Sequence, residues 1–139
     1  MYFRDTILEG ANGHQFIPLV GLDNIKFGMN RSEVEKIIKP KKSFFKTKFS
    51  KNSTDVSDNM HIYYDENNSV EAIEIHSGAT VFYKNNTILP ADISQIKTLF
   101  NLKEIESDHY IDYDKSIAFY APEGKDIKSL TIGVKGYFE

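Results

Sequence analysis

Two stretches of this chain carry the same succession of patterns. A capped amphipathic segment, Asn30 to Lys39, is followed by strand-like runs at Ser43–Phe49, Met60–Asp65 and Val70–His76. A second capped segment, Asp92 to Asn101, precedes runs at Asp108–Tyr113, Ser116–Ala121 and Ile127–Val134. The local match is closest where Tyr63, Tyr64, Val70, Ile73 and Ile75 align with Phe119, Tyr120, Ile127, Leu130 and Ile132, the second copy having one extra turn residue. Each such unit must bury a helical stripe and a strand face against something else. The pattern therefore predicts an α+β fold in which tandem αβββ repeats, at about 30–76 and 92–134, form one mainly antiparallel curved sheet with two helices on one face. The 139 residues suit a single domain spanning 1–139, long enough to bury a real core.

Local signals support both helices. Asn30 is a cap with Glu33 three residues on, Val34, Ile37 and Ile38 form one apolar stripe, and Pro40 stops the helix. In the second segment Asp92 caps with Gln95 as its partner, and Ile93, Ile96 and Phe100, with Leu99 beside them, supply the stripe. In the lysine-rich run, Phe45, Thr47 and Phe49 alternate with Phe44, Lys46 and Lys48, as in a strand with one packed face. Lys51 to Asn59 reads as a polar loop and Asp65 to Ser69 as a turn, after which Ile73 and Ile75 share a strand face. Asn85 and Asn86 suit the positive φ of a tight hairpin between 79–84 and Thr87–Leu89. Met1 to Asn24 carries no clear period beyond a short strand near Phe16 to Val20, with Pro18 at an edge.

Composition removes several classes of function. The chain has no cysteine, so disulfides, thiolate nucleophiles and cysteine metal sites are excluded. Hydrophobic residues at 40% and aromatics at 13% argue against disorder. No signal-peptide pattern and no apolar run of membrane-spanning length occurs, so a soluble cytoplasmic protein is expected. His61, His76 and His109 fall at strand positions near acids, but none has the i, i+4 spacing of a helical zinc motif. Neither a metal nor another cofactor is expected, the one geometric encouragement being that His61 and His76 fall on adjacent runs. Carboxylates and tyrosines supply raw material for acid–base work, yet on strands such tyrosines read as a half-exposed sheet face, and no catalytic residue is expected.

Charge is more informative. The net value is only −3, but Lys39, Lys41, Lys42, Lys46, Lys48 and Lys51 fall in one stretch without an acid. Six acids between Asp55 and His76, and five between Glu104 and Asp114, occur with no Lys or Arg among them. An acidic, tyrosine-bearing surface steers a basic partner, and tyrosine adds contact area at low entropic cost. The expected contacts are Tyr63, Tyr64, Asp65, Glu71, Glu74, Asp112, Tyr113 and Asp114. This favours a non-catalytic protein-binding module. The alternatives are a small ligand-binding domain or enzyme using a concave sheet face, and nucleic-acid binding through Lys39–Lys51. Overall acidity disfavours nucleic acid, and lysines on an edge strand also deter aggregation.

The segment from Lys26 through Gly28, Ser32, Glu33 and Val34 to Pro40 resembles the opening helix of small bacterial proteins that read Gly-x-Ser/Thr-x-x-Glu-Val and end in Gly-x-Pro. With the Tyr63–Asp65 turn and the Val70–Ile75 strand, it is similar to tandem-repeat β-lactamase-inhibitor-like domains, to short outer-membrane assembly lipoproteins and to immunity proteins encoded beside bacterial toxins. Lys39 stands where that pattern has Gly, and there is no cysteine to acylate, which sets the chain apart from the lipoproteins. The resemblance implies protein binding, with stoichiometric neutralisation of a cognate toxin, a basic toxin domain, as its specific role. It transfers no functional residue.

Overall fold

The computed structural model describes residues 13–40, 42–45, 48, 52–106 and 108–139. Thirteen strands and two α-helices follow in chain order. They are β1 (Gly13–Ile17), β2 (Gly21–Leu22), β3 (Ile25–Lys26), α1 (Arg31–Ile38), β4 (Lys42–Phe44), β5 (Thr54–Ser57), β6 (Met60–Tyr64), β7 (Val70–His76), β8 (Thr80–Tyr83), β9 (Asn86–Leu89), α2 (Ile93–Ile96), β10 (Lys103–Ile105), β11 (His109–Asp112), β12 (Ile117–Tyr120) and β13 (Ser129–Gly133). A single 3₁₀ turn covers Pro122–Gly124. The fold is α+β with mostly antiparallel strands.

The large sheet has eight strands in the order β10-β11-β12-β13-β7-β6-β5-β4, every neighbouring pair antiparallel. At its centre β7 lies against β13, so Ile73 faces Ile132 and Ile75 faces Leu130 across the ladder. These four side chains are buried in one core cluster with Val34 of α1, with Ile93 and Ile96 of α2, and with Phe100. Alternation along the strands brings this about: residues two apart share a face, and Ile62, Ile73, Ile75, Ile117, Phe119, Leu130 and Ile132 all fall on the same side.

A second sheet, in the order β3-β2-β1-β8-β9, is an addition to the single sheet expected from the sequence. It contributes Phe16, Leu22, Val81, Tyr83 and Ile88 to the same core. Its central strand β1 is antiparallel to β2 but parallel to β8. Gly21 is required there: at φ +152°, a Cβ would lie 2.1 Å from the Ile25 carbonyl oxygen. The β8–β9 hairpin turns on Lys84 and Asn85, with φ of 48° and 67°, one residue earlier than the asparagine pair predicted.

Helix signals translate unevenly. Asn30 Oδ1 caps α1 by accepting from Ser32 N at 2.9 Å, and Lys39 ends the helix in the left-handed region. Val34 is buried and Ile38 partly so, but Ile37 is 47% exposed and leaves the predicted stripe. The second helix is a single turn whose predicted capping box is present, with Asp92 accepting from Ser94 N and donating its own N–H to Gln95 Oε1 at 2.8 Å.

The polar stretch before Asn59 is no loop. Thr54 to Ser57 is a strand with Thr54, Asp55 and Val56 buried. Charge pairing makes this possible. Arg31 Nη2 donates to Asp55 Oδ1 at 2.5 Å, the Tyr64 hydroxyl donates to Asp55 Oδ2 at 2.8 Å, and the guanidinium lies 4.6 Å from the Tyr64 ring centre. Among the described residues of the lysine-rich run, Lys42–Phe44 forms a strand, and Phe45 is 60% exposed where packing was expected. Lys41, Lys46, Thr47, Phe49 and Lys51 lie outside the described residues.

Candidate functional site: the outer face and acidic end of the large sheet

The face of the large sheet turned away from the core has a different chemistry. Register places His61 opposite Glu74 and Val56, Thr131 opposite Glu74 and Ala118, and Ile111 opposite Ala118 and Lys103. The same alternation that sends Ile73 and Ile75 inward sends Glu74 and His76 outward. Burial varies here: Val56, Tyr63 and Ala118 are buried, His61, Glu74 and His76 are half-buried, and Phe44, Ile105, His109 and Tyr120 are exposed upon it or at its edges. The C-terminal residues turn back over the strands: Tyr137 N donates to Val134 O, and the Tyr137 ring packs so tightly on Gly133 that an added Cβ would lie 2.7 Å from it. Between them runs an open groove of about 420 Å³ lined by Tyr63, Glu74, Ile105, His109, Ala118 and Tyr137 among others.

Rings form two groups on this face. Phe44 meets His61 edge-on at 5.5 Å, His61 meets His76 at 4.7 Å and Tyr63 at 6.3 Å, and His109 lies 5.1 Å from Tyr120. The Tyr63 hydroxyl donates to Glu74 Oε1 at 2.5 Å. Burial and this bond hold the Tyr63 phenol far above its usual range, so it stays a donor. Burial first, then the neighbouring His76, hold the His61 imidazole below its ordinary range against the opposing pull of Glu74. His61 Nδ1 and His76 Nε2 lie 3.7 and 3.8 Å from the same Glu74 oxygen.

The eight residues expected to make contacts divide among three settings. Tyr63 and Glu74 are on the outer face. Asp65, Glu71, Tyr113 and Asp114 lie at one end of the sheet, since Ala72 faces Gly133, Ile117 faces both Ile132 and Asp112, Val134 N donates to Glu71 O, and Gly133 N donates to Ser116 O. This puts the β6–β7 and β11–β12 turns at the same end of the sheet, on either side of the end of β13, with acids from both acid-rich stretches. Tyr64 and Asp112 point the other way. Tyr64 is held inward by Asp55, its phenol also raised far above the usual range by burial and that bond. Asp112 is only 1% exposed and accepts from Asn101 N and Lys115 N, both at 2.9 Å. A carboxylate buried and saturated by backbone donors has no surface to offer, so these two leave the contact set. Asp65 is partly committed as well, its Oδ1 accepting from Asn67 N and Ser69 N across the turn.

Sequence reasoning also missed Arg31 as the partner of a buried acid, though a lone arginine at a helix start opposite a buried-strand aspartate has no local signature. The aligned aromatic pairs prove to be out of phase: Tyr63 and Tyr120 face outward, while Tyr64 and Phe119 enter the core. The hairpin registers differ by one position: Ile62, not Tyr63, stands opposite Ile73, whereas Phe119 itself stands opposite Leu130.

Among the described residues no helix is long and apolar enough to cross a membrane. No protein-family model, curated protein or solved structure matches the chain.

Proposed function

We propose that this chain is a non-catalytic binding module that captures a basic protein, and that its role is to neutralise a toxin domain as an immunity protein does. The observation that carries the reading is the convergence of Asp65, Glu71 and Asp114 at one end of the sheet, beside an outer face bearing half-buried aromatic rings. Acids at a rim accelerate encounter with a basic partner, and aromatic contacts slow its release. We further read the two segments, each a helix followed by four strands, as tandem copies meeting at the β7–β13 seam. Such a duplication gives a broad sheet in which the antiparallel seam sets the equivalent β6–β7 and β12–β13 turns at opposite ends and leaves β6–β7 and β11–β12 at the same end.

The test is association with a basic toxin domain encoded beside this gene. Calorimetry is expected to give one-to-one binding, and co-expression to protect cells. Reversal of Glu71 and Asp114 to Lys is expected to slow association and flatten its salt dependence without altering circular dichroism. Binding that is absent, or indifferent to both reversals, sinks this reading.

A second reading, a small ligand-binding domain or enzyme, has its own support in the outer groove, where Glu74, Glu106, His109 and Tyr63 line one opening. A small molecule that saturates the groove and perturbs Tyr63 and His109 resonances favours it over the first.

A further inference from the structure

We infer that His61, Glu74 and His76 form a binding site for a divalent transition-metal ion, zinc being the best match, with one coordination position left open toward the outer side of the sheet. This goes beyond the protein-binding reading and does not depend on it. His61 and Glu74 are direct cross-strand partners on β6 and β7, and His76 stands two residues from Glu74 on the same strand and face. Three donors are thus fixed by regular backbone rather than by a loop, which is how a site is held in a defined geometry. One ligand atom from each lies within 4.8 Å of the other two.

The distances point to an ion between the groups. Separations of 3.7 and 3.8 Å from Glu74 Oε1 to His61 Nδ1 and His76 Nε2 are too long for hydrogen bonds. Donors bound to zinc at ordinary lengths sit about 3.4 Å apart around a tetrahedron, so the two separations from Glu74 need only a small contraction, and the two imidazole donors, within 4.8 Å of each other, close by side-chain rotation. His76 supplies an independent observation. Its ring is partly exposed, yet Nε2 is shielded from solvent and has no hydrogen-bond partner among the described residues. A buried polar nitrogen without a partner is costly, and a metal satisfies it.

The surroundings also suit a metal. The Tyr63 hydroxyl on Glu74 Oε1 orients the carboxylate, the support that metal-binding carboxylates ordinarily receive. Two imidazoles and one carboxylate suit zinc, which has no geometric demand that this set fails to meet, whereas calcium or magnesium would need more oxygen donors. With three protein donors the fourth position takes water or a donor atom from a bound molecule.

The test uses the full chain stripped with a chelator and titrated with zinc chloride by calorimetry. One ion per chain is expected at micromolar concentrations, and cobalt(II) in its place is expected to give the visible absorption of a tetrahedral centre. His61→Ala, His76→Ala and Glu74→Gln should each abolish binding in that range. Tyr63→Phe should weaken it roughly 10- to 100-fold, and His14→Ala and His109→Ala should leave it unchanged. Nitrogen-15 spectra of the unmutated protein give a readout that does not depend on variant folding: zinc should move the His61 and His76 ring nitrogens and spare those of His14 and His109. Failure of the stripped protein to take up zinc, as when water alone fills the gap, overturns the inference. So does His76→Ala binding as tightly as the unmutated chain.

Discussion

The two faces of the large sheet are built from the same strands and obey the same alternation, yet they do opposite things. The inner face is an apolar seam: Ile62, Ile73, Ile75, Ile117, Phe119, Leu130 and Ile132 are all essentially inaccessible. The outer face, one residue out of phase, carries His61, Tyr63, Glu74, His76, Thr131 and Tyr120. Apolar burial is concentrated on the first, and polar side chains and rings on the second. A strand can serve both because its side chains alternate, so changes on one face need not disturb the other. The buried polar groups blur this division. Asp55 is neutralised by a cation from α1, whereas Asp112 is satisfied by two backbone amides, Lys115 N of the following turn and Asn101 N of the segment between α2 and β10.

The contrast can be broken by mutation, and the largest effects are expected inside. Ile132→Ala removes a side chain at the β7–β13 seam and is expected to cost about 2–5 kcal/mol in denaturant unfolding. A loss below 1 kcal/mol, to use roughly the ordinary scale of surface changes, would mean that the seam is not the core of the fold. Arg31→Met is expected to cost about 3 kcal/mol, because it leaves Asp55 buried without its cation. Adding Asp55→Leu should recover much of that loss, and a double variant worse than the single one would contradict the charge-pair account.

Smaller effects are expected at the turns and on the outer face. Asp65→Ala should cost about 1 kcal/mol, since it removes the side chain that organises the β6–β7 turn, measured again by unfolding. Tyr120→Ala is expected to change stability by no more than about 0.5 kcal/mol while weakening capture of a protein partner in calorimetry. A large stability loss there would erase the distinction between the two faces.

Much of this architecture is legible in the chain. β7 was anticipated residue for residue at Val70–His76, and its neighbours β6, β11, β12 and β13 within one or two residues at each end, because apolar side chains recur at every second position between strong turn signals. The Asp92–Gln95 capping box is likewise local, needing only four consecutive residues. The β5 strand was hidden because Thr54, Asp55 and Ser57 look like loop residues until Arg31, 24 positions from Asp55, is brought beside them. The small sheet was legible only in part: its β8–β9 hairpin was expected, but its assembly was not. Strands of two residues carry no periodicity, and the parallel pairing of β1 with β8 joins Gly13 to Thr80.

The candidate sites show the same boundary. The sequence by itself determined that Glu74 and His76 share a face, that Ile73 and Ile75 share the opposite one, and that acids gather in two stretches. Only the tertiary structure decided that His61 stands opposite Glu74, that Asp112 is sealed while Asp114 is exposed, and that the two acidic turns lie at the same end of the sheet. The reason is physical. Alternation is a property of one strand and can be read along it, whereas register and burial depend on pairings between distant segments, whose free energy belongs to the whole core.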